Sequence, residues 1–163
     1  PKVVGEIVIK SPANMVGYWG NQEATEEVFN DDGWFRSGDL GYIEDGFVFI
    51  VDRVKDLVIR GGENISCIEV EAAIYSHPSV QEAAVFGIPE ERLGETLCTS
   101  ICLKSSSSLT EDEIKDFLQD KIAAYKIPSM IKIHFDELPR VASGKFSKKQ
   151  LRDDFIAIEK HGS

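Results

Sequence analysis

"VDRVKDLVIRGGENIS", residues 51–66, is the stretch on which the reading of the chain turns. The apolar run "FVFIV" at 47–51 leads into it, and Asp52, Arg53, Lys55 and Asp56 interrupt the hydrophobic pattern before "LVI" resumes it. Gly61 and Gly62 then stand together, a pair suited to positive φ or to close approach of another group to the backbone. Ser66 and Glu69 follow in the spacing of a helix start. Charges set between a strand and a turn in this way mark a junction, and the chain has a different character on each side of it.

On the upstream side the pattern is mostly strands and turns. "GEIVIK" (5–10) reads as a strand, and "NQEATEEVF" as a short helix capped by Asn21, with Glu23, Glu26 and Glu27 near its positive end. "GWFRSGDLGYIEDGFVFIVDR" reads as further strands with a hairpin at "EDG" (44–46). Downstream, strands and helices alternate. "SCIEVEAAIYSHP" opens on Ser66 and Glu69 in capping-box spacing and closes before Pro78. "QEAAVFGIP" (81–89), "ETLCTSICLK" (95–104) and "MIKIHF" (130–135) read as strands. Thr110 and Glu113 cap a helix with Ile114, Phe117, Leu118 and Ile122 on one face, and Ser147 with Gln150 opens a last helix carrying Leu151, Phe155 and Ile158. The expectation is an α+β chain: a β-rich piece over residues 1–53, then a small α/β domain over residues 54–163. The first piece needs a covering layer that these residues do not contain, because isolated hairpins leave an apolar face in water.

Composition narrows the functional classes. With 42% hydrophobic residues in 163, one good core can form. The 18 Lys and Arg against 28 Asp and Glu give a net charge of −10, a field that repels phosphate backbones and argues against nucleic acid as a partner. Three cysteines cannot close a disulfide framework, which points to a reducing, cytoplasmic setting, and no apolar run reaches membrane-span length. His77, His134 and His161 lack metal-ligand spacing with each other or with the cysteines. Cys98 and Cys102 share a strand face but lie about 13 Å apart along it, too far for one metal or a disulfide. No metal site is expected.

Four features are left that can carry chemistry, and each also has an ordinary reading. Asp39 in "RSGDL" can accept hydrogen bonds from two adjacent hydroxyls, as a ribose diol offers, or can simply stabilise a turn through backbone amides. Arg53 is suited to bidentate contact with nucleotide oxygens and Lys55 to a pivot, yet both also read as solvated charges on a strand edge. The glycines of "RGG" fit a plain turn equally well. Lys145, after Ser143 and Gly144 on a loop ahead of a helix, can neutralise charge on a phosphoryl or carboxyl oxygen, or can belong to a solvated basic loop.

Together, in their order and spacing, these pieces resemble one family, the AMP-forming acyl-CoA synthetases of the adenylate-forming superfamily. The matching segments are "GEIVIKSPANMVGYWGNQEAT", "GWFRSGDLG", "DRVKDLVIRGGENISCIEVE", "VFGIPEERLGE" and "LPRVASGKFSKKQLR", which span residues 5–154. The resemblance implies that residues 1–53 end a large N-terminal adenylation domain, as part of its β-barrel, and that residues 54–163 are its small mobile C-terminal domain. It implies that Asp39 holds the ribose hydroxyls, that Arg53 also contacts the nucleotide, and that Lys55 is the hinge between two half-reactions. Gly61, Gly62 and Glu63 then line the passage for the CoA thiol, and Lys145 positions carboxylate and α-phosphate. The implied substrates are ATP with Mg2+, CoA and a carboxylic acid, of the kind used in fatty acid metabolism. Ser37 stands where the family has threonine, which keeps the hydroxyl. The phosphate loop and acyl pocket that the family carries upstream are not among these residues, so the chain is expected to be inactive alone, with the missing domain as its covalent partner. The competing readings are an adenylation domain that delivers to a carrier protein, and a non-catalytic binding module.

Overall fold

The computed structural model describes residues 3–161, with side chains as far as Ala157, and the chain forms two compact units that part between Lys55 and Asp56. In the first unit, β1 (Gly5–Ile9), β2 (Phe35–Glu44) and β3 (Phe47–Arg53) make an antiparallel sheet in that order. Asp45 and Gly46 form the β2–β3 turn with φ of 51° and 80°, the left-handed region that the "EDG" signal anticipates. Helix α1 (Gln22–Val28) begins at Asn21, whose Oδ1 accepts the Ala24 N–H at 3.0 Å. Large apolar side chains stay in water on this sheet, with Ile43 76% and Phe47 70% exposed.

Gly41 is where this sheet closes most tightly. A Cβ there would lie 2.5 Å from the Phe49 carbonyl oxygen and 2.8 Å from Ile7 Cδ1, and the backbone atom cannot move aside cheaply. Gly41→Ala is therefore expected to destabilise the first unit by about 1–3 kcal/mol through overpacking. Thermal unfolding of the variant checks this, and an unchanged Tm would contradict it.

The second unit is a sheet packed on both faces. After a 3-10 turn at Val54–Asp56 come β4 (Leu57–Arg60), β5 (Glu63–Ser66), helix α2 (Cys67–Tyr75), β6 (Val80–Glu90), β7 (Gly94–Leu103) and helix α3 (Glu111–Gln119). A second 3-10 turn at Ala124–Lys126, strand β8 (Met130–His134) and helix α4 (Lys148–His161) complete it. The long β6–β7 hairpin is the centre, with β4 and then the parallel strand β8 lying along the other side of β7. Alternation in β6 and β7 sorts the core. Ala83, Val85, Leu97 and Ile101 point to one side with Val70 and Ile74 of α2 and Ile114 and Leu118 of α3. Ala84, Phe86, Ile88 and Cys98 point to the other, against Leu151 and Phe155 of α4. Phe86 meets Phe155 edge to face at 5.2 Å, a geometry worth about 0.5–1.5 kcal/mol beyond area burial.

The helix starts follow their caps. Thr110 and Glu113 form the full reciprocal capping box. Ser66 accepts the Glu69 N–H at 3.2 Å, but the Glu69 carboxylate turns instead to Lys126, so the expected second half of that box is replaced by an ion pair. Helix α3 stops at Gln119, before Ile122, which packs on the core from the following turn. Ile158 and His161 lie outside the described side chains. Among the described residues no helix is long and apolar enough to cross a membrane.

Candidate functional site

The charges of the opening stretch divide between the two units. Asp39 of β2 and Arg53 of β3 are directly opposite in register, and Arg53 Nε donates to Asp39 Oδ1 at 3.2 Å. The pair is solvent-accessible, so its ion-pair energy alone is small, about 0–1 kcal/mol. Its neighbours hold it in place more firmly than it holds itself. Ser37 Oγ donates to the Ile7 carbonyl at 2.7 Å and accepts the Asp39 N–H at 3.0 Å, so the serine that replaces threonine does use its hydroxyl. Gly38, with φ of 75°, turns the strand there, and Glu6 accepts its N–H at 3.3 Å while also taking the Arg36 guanidinium.

Asp52 reads in the sequence only as one of the interrupting charges, yet it is 1% exposed. Its Oδ1 accepts the Arg53 N–H at 2.7 Å and its Oδ2 has no partner among the described residues. Lys55 is exposed in the 3-10 turn, at the last position before the break between units.

In the second unit Gly61 and Gly62 are the whole turn between β4 and β5, where Arg60 pairs with Glu63. Both glycines have positive φ, 60° and 86°, the two-residue hairpin geometry that side chains resist. Gly61 N–H donates to the Leu93 carbonyl at 2.8 Å, tying this turn to the β6–β7 connection. Glu63 is exposed. Arg60 donates through Nη1 to the Tyr125 carbonyl at 3.1 Å.

Lys145 stands in a separate loop, after β8, and is exposed with no ion-pair partner among the described residues. The loop is a small hairpin: Arg140 bridges to Phe146, the Val141 N–H donates to the Lys145 carbonyl at 2.9 Å, and Gly144 turns the chain at φ 83°. Arg140 lies 4.4 Å over the Phe146 ring and is paired with Glu82. Just past the loop, Lys148 pairs with Glu71 at 3.0 Å. Burial pulls the Lys148 ammonium down, and the Glu71 carboxylate beside it, together with Cys67 and Asp56, more than offsets this, leaving its pKa above the usual lysine value. Two of the basic neighbours are thus already neutralised, and Lys145 is not.

The other titratable candidates have structural partners. His77 Nδ1 is 3.2 Å from the Ser79 N–H, and His134 Nε2 is 3.2 Å from Ser100 Oγ, with burial lowering its pKa. Cys67, Cys98 and Cys102 are buried and free of disulfides. Among the described residues no group of three or more His, Cys, Asp or Glu converges to hold a metal.

Residues 69–145 match the family model of the AMP-binding enzyme C-terminal domain. Over 158 residues the chain is 44% identical to the rat mitochondrial medium-chain acyl-CoA ligase ACSF2, covering 96% of this chain and 25% of that protein. Residues 69–145 are an AMP-binding enzyme C-terminal domain, and over its length the chain is related to acyl-CoA ligases. A further ligase relative, the feruloyl-CoA synthase of an Amycolatopsis species, is 42% identical over 95% of this chain and 31% of its own. Among solved structures, ATP-bound MatB from Rhodopseudomonas palustris superposes with a TM-score of 0.87 at 36% identity, over 95% of this chain and 31% of that one. The chain therefore spans about a quarter to a third of the length of the acyl-CoA ligases it matches.

Proposed function

We propose that these residues supply the nucleotide-contacting strand pair and the lysine-bearing C-terminal domain of an ATP-dependent acyl-CoA synthetase. The enzyme activates a carboxylic acid as acyl-AMP, releasing pyrophosphate, and transfers the acyl group to CoA, releasing AMP. The observation that carries this reading is the state of Lys145, an unpaired cation on a braced hairpin whose basic neighbours Arg140 and Lys148 are both held in ion pairs. Carboxylate and α-phosphate repel as they approach, and a fixed cation between them lowers that barrier. Asp39 and Arg53, set side by side, take the ribose hydroxyls and nucleotide oxygens, with Mg2+ carried on the triphosphate. The second half-reaction needs Lys145 withdrawn and the Gly61, Gly62, Glu63 turn brought to the thiol path, with Lys55 absorbing the backbone rotation.

Catalysis on this reading needs upstream residues of the length its relatives have, and the 163 residues alone do not complete it. The exposed apolar face of the first sheet fits the same view, as the edge of a larger barrel domain. A fatty acid is the first substrate to try, since one relative is named a medium-chain acyl-CoA ligase, although others are named for feruloyl and oxalate substrates. Three buried thiols outside any disulfide suit a reducing compartment such as the cytoplasm.

The test is ATP–pyrophosphate exchange and thioester formation by the full-length protein across a panel of carboxylic acids. Acid-dependent exchange followed by CoA thioester is the expected result. Exchange with no thioester would move the reading to delivery onto a carrier protein or another nucleophile, and neither reaction with any acid would favour a non-catalytic module.

A further inference from the structure

Glu82 on β6 is one of two carboxylates among the described residues with less than a tenth of their surface exposed, at 7%. A buried carboxylate is costly unless its oxygens are taken up by donors. Both are: Oε2 accepts the Leu138 N–H at 2.7 Å, and Oε1 takes the Arg140 guanidinium. Arg140 spends the other arm of its fork on the loop itself, with Nη1 donating to the Gly144 carbonyl at 2.7 Å. Gly144 immediately precedes Lys145. The path from the floor of the sheet to the backbone at Lys145 is therefore two hydrogen bonds long, and it runs through a planar, pre-organised guanidinium.

We propose that Glu82 is a positioning residue for Lys145, its buried carboxylate anchoring the 138–146 hairpin at Leu138 and, through Arg140, at Gly144, so that the lysine ammonium is presented at a fixed place. This rests on the reading that Lys145 acts in adenylation. The simpler role would be a staple that closes the end of the chain onto β6. The two roles differ in what they do to chemistry. A staple lost lowers stability and every activity together, whereas a positioning residue lost lowers the step that Lys145 serves and nothing more once Lys145 is gone. The Glu71–Lys148 pair braces the same segment from the helix side, but it lies beyond Phe146 and does not reach the turn that carries Lys145.

The experiment is a double-mutant cycle in the full-length enzyme, read as kcat and KM of ATP–pyrophosphate exchange with thermal unfolding alongside. Glu82→Gln and Arg140→Met are each crossed with Lys145→Ala, Arg140 being accessible enough for its variant to keep the fold. Each single variant is expected to lower kcat by about tenfold or more with KM for ATP little changed, since misplacement of a reacting group is felt chiefly in the chemical step. In the Lys145→Ala background the same changes are expected to add less than about twofold, because coupled residues are strongly non-additive. Wild-type exchange in both single variants would overturn the proposal, as would an undiminished further loss in the Lys145→Ala background. If Lys145→Ala itself leaves exchange intact, the parent reading falls with it, an outcome that the single lysine variant identifies separately.

Discussion

Lys145→Ala in the full-length protein is expected, on the proposed reading, to lower acyl-adenylate formation by about 10²–10³-fold, the usual loss when one pre-organised group that stabilises developing charge is removed. Two of its basic neighbours are committed elsewhere, Arg140 to Glu82 and Gly144, and Lys148 to Glu71. The loss is expected in kcat of pyrophosphate exchange more than in KM, since the interaction strengthens as the two anions meet. Lys145→Arg keeps the charge but not the compact ammonium and is expected to recover only part of the rate. A Lys145→Ala variant that exchanges at the wild-type rate would remove the lysine from the mechanism.

The second large effect belongs to Asp39. Asp39→Ala is expected to raise KM for ATP by about 10²-fold, because a hydrogen bond to a charged group is worth about 1.5–3 kcal/mol and, on the proposed reading, two hydroxyls lose their acceptor at once. The variant also leaves Arg53 without its cross-strand partner. Asp39→Asn keeps the shape and one acceptor oxygen and is expected to fall between. Titration of ATP binding separates these effects from turnover; equal affinity in wild type and Asp39→Ala would restrict Asp39 to the turn role that "RSGDL" also allows.

How much of this was legible in the sequence depended on how local each signal is. Strands β6 and β7 could be read directly, being long apolar runs buried on both faces, and α3 announced itself through Thr110 and Glu113. Strands β4 and β5 could not, since four residues each, facing one another at Arg60 and Glu63, are too short and too charged to show a period of two. Ile122 fitted a helical stripe, yet the chain leaves the helix at Gln119 and delivers the same side chain to the core by another route. The Asp39–Arg53 pairing is a matter of register between β2 and β3, with an irregularity after Leu40, and local pattern does not determine that. Glu71 and Glu82 carry no local signal, because their partners lie far along the chain, at Lys148 and Arg140. Lys145 is named by the family resemblance alone; the packing shows what holds its loop.

The most direct test of the account separates the two half-reactions in the Lys145→Ala enzyme. Supplied with synthetic acyl-adenylate and CoA, it is predicted to form thioester within about threefold of wild type, since its lysine serves only the step already completed, while its pyrophosphate exchange collapses. A parallel collapse of both half-reactions would contradict the assignment of Lys145 to adenylation alone, and with it the two-step use of this domain.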